Sequence, residues 1–334
     1  MGKKQYIIFL IVIIITIIAL LTLFEFQTEM SITIFDKSDN KATFFRGRLF
    51  NYNIQGIKND KSLFHSKLVK FTKNKVSNPI IMKNMKDNNI IFQNQDEIEI
   101  YSSEGTLLHE IEVGKGKDIG YILSIDSSDL NGDSRDELLI ITGKTNGKYG
   151  EKMVILEVNS SLNKILDYSF GDMNPWKVQV CDIDGDDRKE IAITMYKKTE
   201  FHPIMANRPY IYEWIDRGIF PKWRGSRLSR PFDDYIFLDI DNDKADNIAS
   251  IELLQDGRKI INLYQWKGFG FESMGESKEY DDIIDIKKAK NNNNLIDIQI
   301  KEGKSILWVT LKYNDGELKE IKKQKGISKN LILE

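Results

Sequence analysis

An acidic loop that recurs at a nearly constant interval constrains the fold of this chain more than any other feature. It first occurs as Asp129-Leu130-Asn131-Gly132-Asp133-Ser134-Arg135-Asp136-Glu137. It recurs in register at 182–190 as DIDGDDRKE and at 239–247 as DIDNDKADN, where the glycine and the last carboxylate are replaced. The three loops begin 53 and 57 residues apart. Such an interval holds four strands with their turns, so each repeat predicts one four-stranded unit.

Short apolar runs rich in Ile, Val, Tyr and Phe fill the intervals between these loops. Between the first two loops the runs are 138–142, 153–158, 164–170 and 177–181, separated by turn-forming residues. This pattern is typical of strands, and fainter copies lie upstream and downstream. We therefore predict an all-β fold, a β-propeller of four-stranded blades with about five to seven blades. Two stacked β-sandwiches are the alternative, but they would not require an acidic loop at each step.

The beginning of the chain predicts a membrane anchor. Residues 6–24 carry no charge, and nineteen helical residues span roughly the ~30 Å hydrocarbon core. Lys3 and Lys4 precede this segment, which places the N-terminus in the cytoplasm. A cleaved signal peptide is the competing interpretation, but no small-x-small cleavage site follows. The predicted order is a cytoplasmic stub (1–5), a transmembrane helix (6–24), a juxtamembrane linker (25–40) and an extracytoplasmic propeller (41–334) of a single-pass cell-membrane protein.

Composition excludes several classes of protein. The net charge of −2 is close to balance, which argues against nucleic acid as a partner. Cys181 is the only cysteine, so the chain forms no internal disulfide and no Cys₂His₂ zinc site.

The acidic loops resemble the FG-GAP/VCBS repeats of integrin-α-type β-propellers. The shared pattern is Asp-x-Asn/Asp-Gly-Asp-x-x-x-Glu before an apolar residue, and the resemblance covers about residues 80–320. It implies a structural Ca²⁺ in each loop, whereas turn preference alone would explain the acids but not their shared 1-3-5 spacing. An EF-hand is excluded because position 12 is Ile140 or Ile193. The implied ligands are the side chains of Asp129, Asn131, Asp133, Glu137, Asp182, Asp184, Asp186, Glu190, Asp239, Asp241 and Asp243 and the backbone carbonyls of Arg135 and Arg188.

A stretch between residues 194 and 235 departs from the repeat. It contains four of the six prolines and two of the five tryptophans, together with a concentration of arginine. Arginine with Trp and Tyr is typical of interface hot spots and of carboxylate, phosphate or sugar recognition. The alternative is that these aromatics pack between blades and the arginines neutralise nearby acids. The predicted ligand surface consists of Arg208, Tyr210, Trp214, Trp223, Arg224, Arg227 and Arg230.

Taken together, the sequence predicts a membrane-anchored propeller that binds Ca²⁺ structurally and recognises a protein or a cell-envelope glycan. No catalytic constellation is visible, so the chain is predicted not to be an enzyme. The alternative is a polysaccharide-acting enzyme, similar to a lyase or glycosidase, with its site in the central funnel. That alternative requires acids or a His/Tyr pair to converge there.

Overall fold

The described part of the chain is built from strands. The computed structural model describes residues 80–325 except 85–88, 94–96, 103–105, 145–146 and 290–293, and the backbone of short strands within 31–70 and at 330–331. The predicted all-β class is confirmed, since the only helix among these residues is a single 3₁₀ turn at Gly171–Met173. No helix among them is long and apolar enough to cross a membrane, and the predicted span 6–24 lies outside them.

The strands form consecutive antiparallel sheets. The first sheet contains β1 (Ser31–Phe35), β2 (Asn40–Arg46), β3 (Asn51–Lys58), β4 (Lys61–Ser62) and β5 (Leu68–Lys70). Five groups of four strands follow in simple up-and-down order: β6 (Ile80–Met82), β7 (Asn89–Gln93), β8 (Glu97–Tyr101), β9 (Leu107–Glu112); β10 (Tyr121–Ser128), β11 (Glu137–Gly143), β12 (Gly150–Val158), β13 (Leu162–Ser169); β14 (Pro175–Cys181), β15 (Glu190–Thr199), β16 (His202–Ile215), β17 (Gly218–Arg224); β18 (Phe232–Leu238), β19 (Asn247–Leu253), β20 (Lys259–Trp266), β21 (Phe271–Ser277); β22 (Asp282–Lys288), β23 (Leu295–Glu302), β24 (Ser305–Asn314), β25 (Glu317–Lys325).

Two further pairings connect these groups. The last two groups join through parallel pairing of β21 with β25 into an eight-stranded sheet, whose end strands β18 and β22 also pack together. The strand β26 (Asn330–Leu331) pairs in parallel with β1, so the first and last described strands share a sheet.

Apolar clusters lie between consecutive sheets. Leu138 and Ile140 on β11 pack towards the preceding sheet, while Leu139 and Ile141 pack towards the following one. Because successive side chains of a strand point to opposite faces, a strand covered on both faces is apolar at every position. This arrangement explains the continuous Leu-Leu-Ile-Ile run. Equivalent clusters fill the next two spaces between sheets.

The first strands of the four-stranded groups lie beside one another. Strand β10 packs against β14, β14 against β18, and β18 against β22. Each carries a bulge at the same level, which makes Ser124, Lys177, Asp234 and Asp285 equivalent positions. Each acidic loop begins five residues later, so the repeat sets the register of these inner edges.

The up-and-down order assigns the connections to two ends of the sheets. The acidic loops connect first to second strands and define the acidic end. Connections between consecutive sheets, and between second and third strands, lie at the opposite end. The long β15–β16 hairpin extends there, so we call it the hairpin end.

Candidate functional site

The second acidic loop surrounds a lysine. Oxygens of Asp182, Asp184 and Glu190 converge as predicted for metal ligands. The Nζ atom of Lys222 lies 2.6 Å from Asp184 Oδ2 and also contacts Glu190 Oε1. Asp186 stays apart and binds the backbone N–H and side chain of Arg188. With an ammonium group among the carboxylates, these residues do not fit a divalent cation unless Lys222 moves away.

The first loop is held by its own amide donors. Asp129 accepts hydrogen bonds from the backbone N–H groups of Gly132 (2.7 Å) and Ser134 (2.8 Å). The Asn131 amide donates to Glu137 Oε1 at 2.7 Å. Burial raises the pKa of Glu137 to about 7, with a smaller contribution from nearby acids. Within the described ranges, carboxylate oxygens of the acidic loops converge in the second and third loops rather than in this one.

The third loop fits a cation best. Oxygens of Asp239, Asp241 and Asp243 converge, and Asp239 Oδ1 is a buried oxygen without a hydrogen-bond partner among the described residues. Asn247 replaces the last glutamate and accepts a hydrogen bond from Ile240 N at 3.1 Å. Metal ligation in the three loops, including the carbonyls of Arg135 and Arg188, stays a prediction.

The eighth loop position clamps one sheet to the preceding one. The carboxylate of Asp136 accepts from Lys83 N at 2.6 Å, and Asp136 N donates to Lys83 O at 2.9 Å. Asp246 makes the same pair of bonds with Asp182, at 2.9 and 2.6 Å. This role of Asp136 and Asp246 is not visible in the sequence, because their hydrogen-bond partners lie 53 and 64 residues away along the chain.

Arg208 is not on a surface. It is fully buried and donates to the carbonyls of Lys197 (3.0 Å), Ile204 (2.6 Å) and Ser226, and to His202 Nδ1 at 2.7 Å. Because the guanidinium can only donate, His202 Nδ1 must be unprotonated. Partial burial and the charge of Arg208 lower the pKa of His202, consistent with that state. Arg208 therefore fixes the β15–β16 hairpin from inside.

The other predicted surface residues divide between packing and exposure. Tyr210 and Trp214 pack in an apolar cluster between sheets, and Trp223 lies edge-on to Trp266. Arg230 pairs with two glutamates. Among the seven, Arg224 and Arg227 remain exposed, so ligand binding by this set stays a prediction confined mainly to them.

A polar group on the inner edges of the first strands went unnoticed in the sequence. Ser124, Asp126, Lys177, Gln179 and Asp234 form this inner-strand cluster. Lys177 Nζ lies 2.6 Å from Asp234 Oδ1 and 2.7 Å from Tyr235 O, which also accepts from Gln179 at 3.1 Å. The cluster therefore connects three neighbouring strands.

Ser124 and Asp126 bind the inner edge of the next strand. Ser124 Oγ accepts from Val178 N at 3.0 Å, and Asp126 Oδ2 accepts from Val180 N at 2.8 Å. Asp126 Oδ1 accepts from Ser127 N at 2.8 Å. These bonds satisfy backbone N–H groups that face no further strand.

The environment of Asp126 suits proton transfer. Its side chain is half-buried, and burial raises its pKa to about 6 against the opposing effect of its hydrogen bonds and of two nearby lysines. A carboxyl group with a pKa near neutrality, within electrostatic range of the ammonium group of Lys177, can activate water. The sequence did contain a signal for the inner-strand cluster, because a polar residue lies three to five positions before each acidic loop, inside a strand.

Comparison with known proteins gives the fold context. No family model and no curated protein matches the chain. It is similar to the solved structure of a "putative 6-phosphogluconolactonase" from Bacteroides fragilis NCTC 9343, at 12% identity and a TM-score of 0.53, covering 90% of this chain and 85% of that one. A protein of the same name from Bacteroides uniformis ATCC 8492 gives 8% identity and a TM-score of 0.50, covering 88% and 84%.

These similarities correct three predictions. The assignment to the FG-GAP/VCBS family is wrong, since the structures that share the fold carry a different name and no family model matches. The calcium-stabilised binding module and the prediction that the chain is not an enzyme are wrong for the same reason, because the shared fold is that of proteins named as enzymes. The physical cause of the error is that acidic turns between first and second strands have the same local chemistry whatever occupies the inner edge.

Proposed function

We propose that this chain is a hydrolase on a β-propeller scaffold that opens a lactone or ester of a sugar-derived substrate. The inner-strand cluster carries this proposal. Three features support blades arranged around an axis: the five consecutive four-stranded groups, the apolar clusters between neighbouring groups and the packing of adjacent first strands. In such a scaffold the inner edges line the centre, where a substrate can reach several blades at once.

The cluster supplies the groups that the reaction needs. An ionised carboxylate has about four lone-pair sites, and backbone N–H groups use two on Asp126. A free lone pair can take a proton from water as its oxygen attacks the carbonyl carbon. The ammonium of Lys177 can stabilise the oxyanion that forms. The carbon–oxygen bond of the lactone then breaks, and the leaving oxygen takes the proton to give a hydroxy acid.

The name of the structural neighbours favours a lactone over a glycosidic bond. A glycosidase requires two carboxyl groups flanking the bond, one of them as a proton donor. Asp234, the second carboxylate of the cluster, is engaged by Lys177 at 2.6 Å. Ester or lactone hydrolysis needs only one base and one electrophilic group, both of which the cluster provides.

Hydrolysis of glucono-δ-lactone and its 6-phosphate by the purified chain, measured above the spontaneous rate, tests the proposal. We expect Asp126→Asn to lower kcat/KM by about 10²-fold or more, the usual effect of losing a general base. The wild-type rate should rise with pH through about 6, because Asp126 accepts a proton only when ionised.

Ser124→Ala is the matched control, because it removes a similar bond to the inner edge of β14 without removing the carboxylate. It should retain most of the activity. Absence of turnover above the spontaneous rate, or equal activity of Asp126→Asn and wild type, would contradict the proposal.

The location of this activity remains a separate proposal. The uncharged segment 6–24 would tether the enzyme to the cell membrane and hold the described sheets outside the cytoplasm, facing envelope carbohydrates. Fractionation of cells that produce the chain, with protease added from outside, tests this placement.

A further inference from the structure

A cavity of about 550 Å³ lies at the hairpin end beside β10. The connection between β9 and β10, with the sequence GKGKDIG at 114–120, forms one wall. The other wall consists of Gly143 and Lys144 at the end of β11 and of the start of β12. We call this the Gly/Lys cavity, and its lining includes Lys115, Lys117, Tyr121, Lys144 and Lys152.

Glycine is required for the shape of the first wall. Gly114 and Gly116 have φ angles of 118° and 78°, a region that other residues rarely adopt. Gly114 N donates to Ile119 O at 2.8 Å, and Lys117 N donates to Gly114 O at 3.2 Å, which closes the turn. The two glycines therefore allow the tight turn that places Lys115 and Lys117 in the cavity wall.

Positive charge dominates the cavity. Four lysines line it against two acids, Asp118 and Glu151. Lys144 pairs with Glu151 at 2.8 Å, Lys152 with Asp167 at 3.2 Å, and Lys117 with Glu112. Lys115 has no ion-pair or hydrogen-bond partner among the described residues. Exposed ion pairs of this kind contribute little to stability, so an anionic ligand can replace the carboxylates at low cost.

We propose that the Gly/Lys cavity binds the anionic group, a phosphate or a carboxylate, of a sugar-derived substrate. This inference rests on the proposed function for the rest of the substrate. Tyr121 in the cavity wall is three residues before Ser124 of the inner-strand cluster, about 10 Å along one strand. One ligand of monosaccharide size with a charged end can therefore extend from the cavity towards the cluster, and the volume suits it.

Calorimetric titration of the purified chain with glucose 6-phosphate, glucuronate and glucose tests binding without any turnover. The two anions should bind, and glucose should bind at least tenfold more weakly. Affinity for the anions should fall as salt is raised, because the interaction is electrostatic. A preference for glucose 6-phosphate identifies a phosphate site, and a preference for glucuronate identifies a carboxylate site.

The double variant Lys115→Met/Lys152→Met should bind the preferred anion about tenfold or more weakly than wild type, because it removes two of the four lysine charges that line the cavity. Lys148→Met is the matched control. It removes a lysine charge from the nearby connection between β11 and β12, but Lys148 does not line the cavity and lies over the Tyr149 ring at 5.4 Å. The Lys148→Met variant should bind the preferred anion with the same affinity as wild type.

The outcomes separate this inference from the proposed hydrolase. Anion binding that the double variant loses, without turnover of any lactone, supports the cavity and contradicts the hydrolase. Turnover with equal kcat/KM for phosphorylated and unphosphorylated lactone in wild type and double variant supports the hydrolase and overturns the cavity. An equal loss of anion affinity in Lys148→Met and in the double variant also overturns the proposed role of the cavity.

Discussion

Lys222 shows how one side chain determines whether an acidic loop requires a metal. Its ammonium group lies between Asp184 and the buried Glu190, where the sequence pattern implied a Ca²⁺ ion. Burial raises the pKa of Glu190, and the hydrogen bond from Lys222 opposes that rise. The lysine therefore provides the counter-charge that the loop would otherwise take from solution.

Replacing Lys222 by Met should destabilise the fold by roughly 3 kcal/mol, because removing one partner leaves a buried carboxylate unpaired. Thermal unfolding at pH 7 measures this loss. Millimolar Ca²⁺ should raise the melting temperature of Lys222→Met more than that of wild type, because the three oxygens are then free to bind it.

Lys189→Met provides the comparison for this loop. Lys189 contacts the same loop through Asp182 Oδ2 at 3.3 Å but is more exposed, so its loss should cost ~1 kcal/mol or less. Equal effects of the two substitutions would show that Lys222 is an ordinary surface lysine.

At the scale of elements, the acidic loops act as clamps between sheets. Asp246 of the third loop binds both backbone groups of Asp182 in the preceding sheet, and Asp136 of the first loop does the same with Lys83. The first and third loops thus position their sheets relative to the preceding ones through paired hydrogen bonds.

Asp246→Ala should lower the free energy of unfolding by about 1–3 kcal/mol, since it leaves the buried Asp182 N–H without its acceptor. Asp246→Asn keeps an acceptor oxygen and should cost less than half as much. Chemical denaturation at pH 7 measures the free energy of unfolding of both variants. Equal losses of that free energy would contradict a role for the side-chain oxygen and leave the clamp to the backbone bond from Asp246 N to Asp182 O.

At the scale of the whole molecule, the apolar clusters between sheets couple each sheet to its neighbours. Ile140 lies in the cluster shared by the second and third sheets. All five tryptophans lie in the last three four-stranded groups, β14 to β25, at 176, 214, 223, 266 and 308. Tryptophan fluorescence therefore reports unfolding at a distance from Ile140.

Ile140→Ala should destabilise the fold by ~2–5 kcal/mol through the cavity that it leaves. If the described sheets unfold as one unit, tryptophan fluorescence and far-UV circular dichroism should shift to the same lower midpoint. Ile306→Ala, at a position 48% exposed, should change the midpoint little. Separate midpoints by the two probes would show that the sheets unfold independently.

The repeat was informative about elements and misleading about function. The strands predicted between the first two loops coincide with β11 to β14, because turn-forming residues and apolar runs are local signals. The continuous apolar run of β11 was also visible in the sequence. The family and the role of the loops did not, because Asp-Gly turns have the same local chemistry whether a lysine, an amide or a metal satisfies them.

The sequence by itself determined the all-β class, the spacing of the strands and the positions of the acidic turns, because each depends on neighbours a few residues away. Only the tertiary structure brought Lys222 into the second loop, buried Arg208 beneath a hairpin and aligned Ser124, Asp126 and Lys177 on adjacent inner edges. Those contacts join residues from 4 to 58 positions apart. Their geometry depends on the register of the sheets, which no single segment encodes.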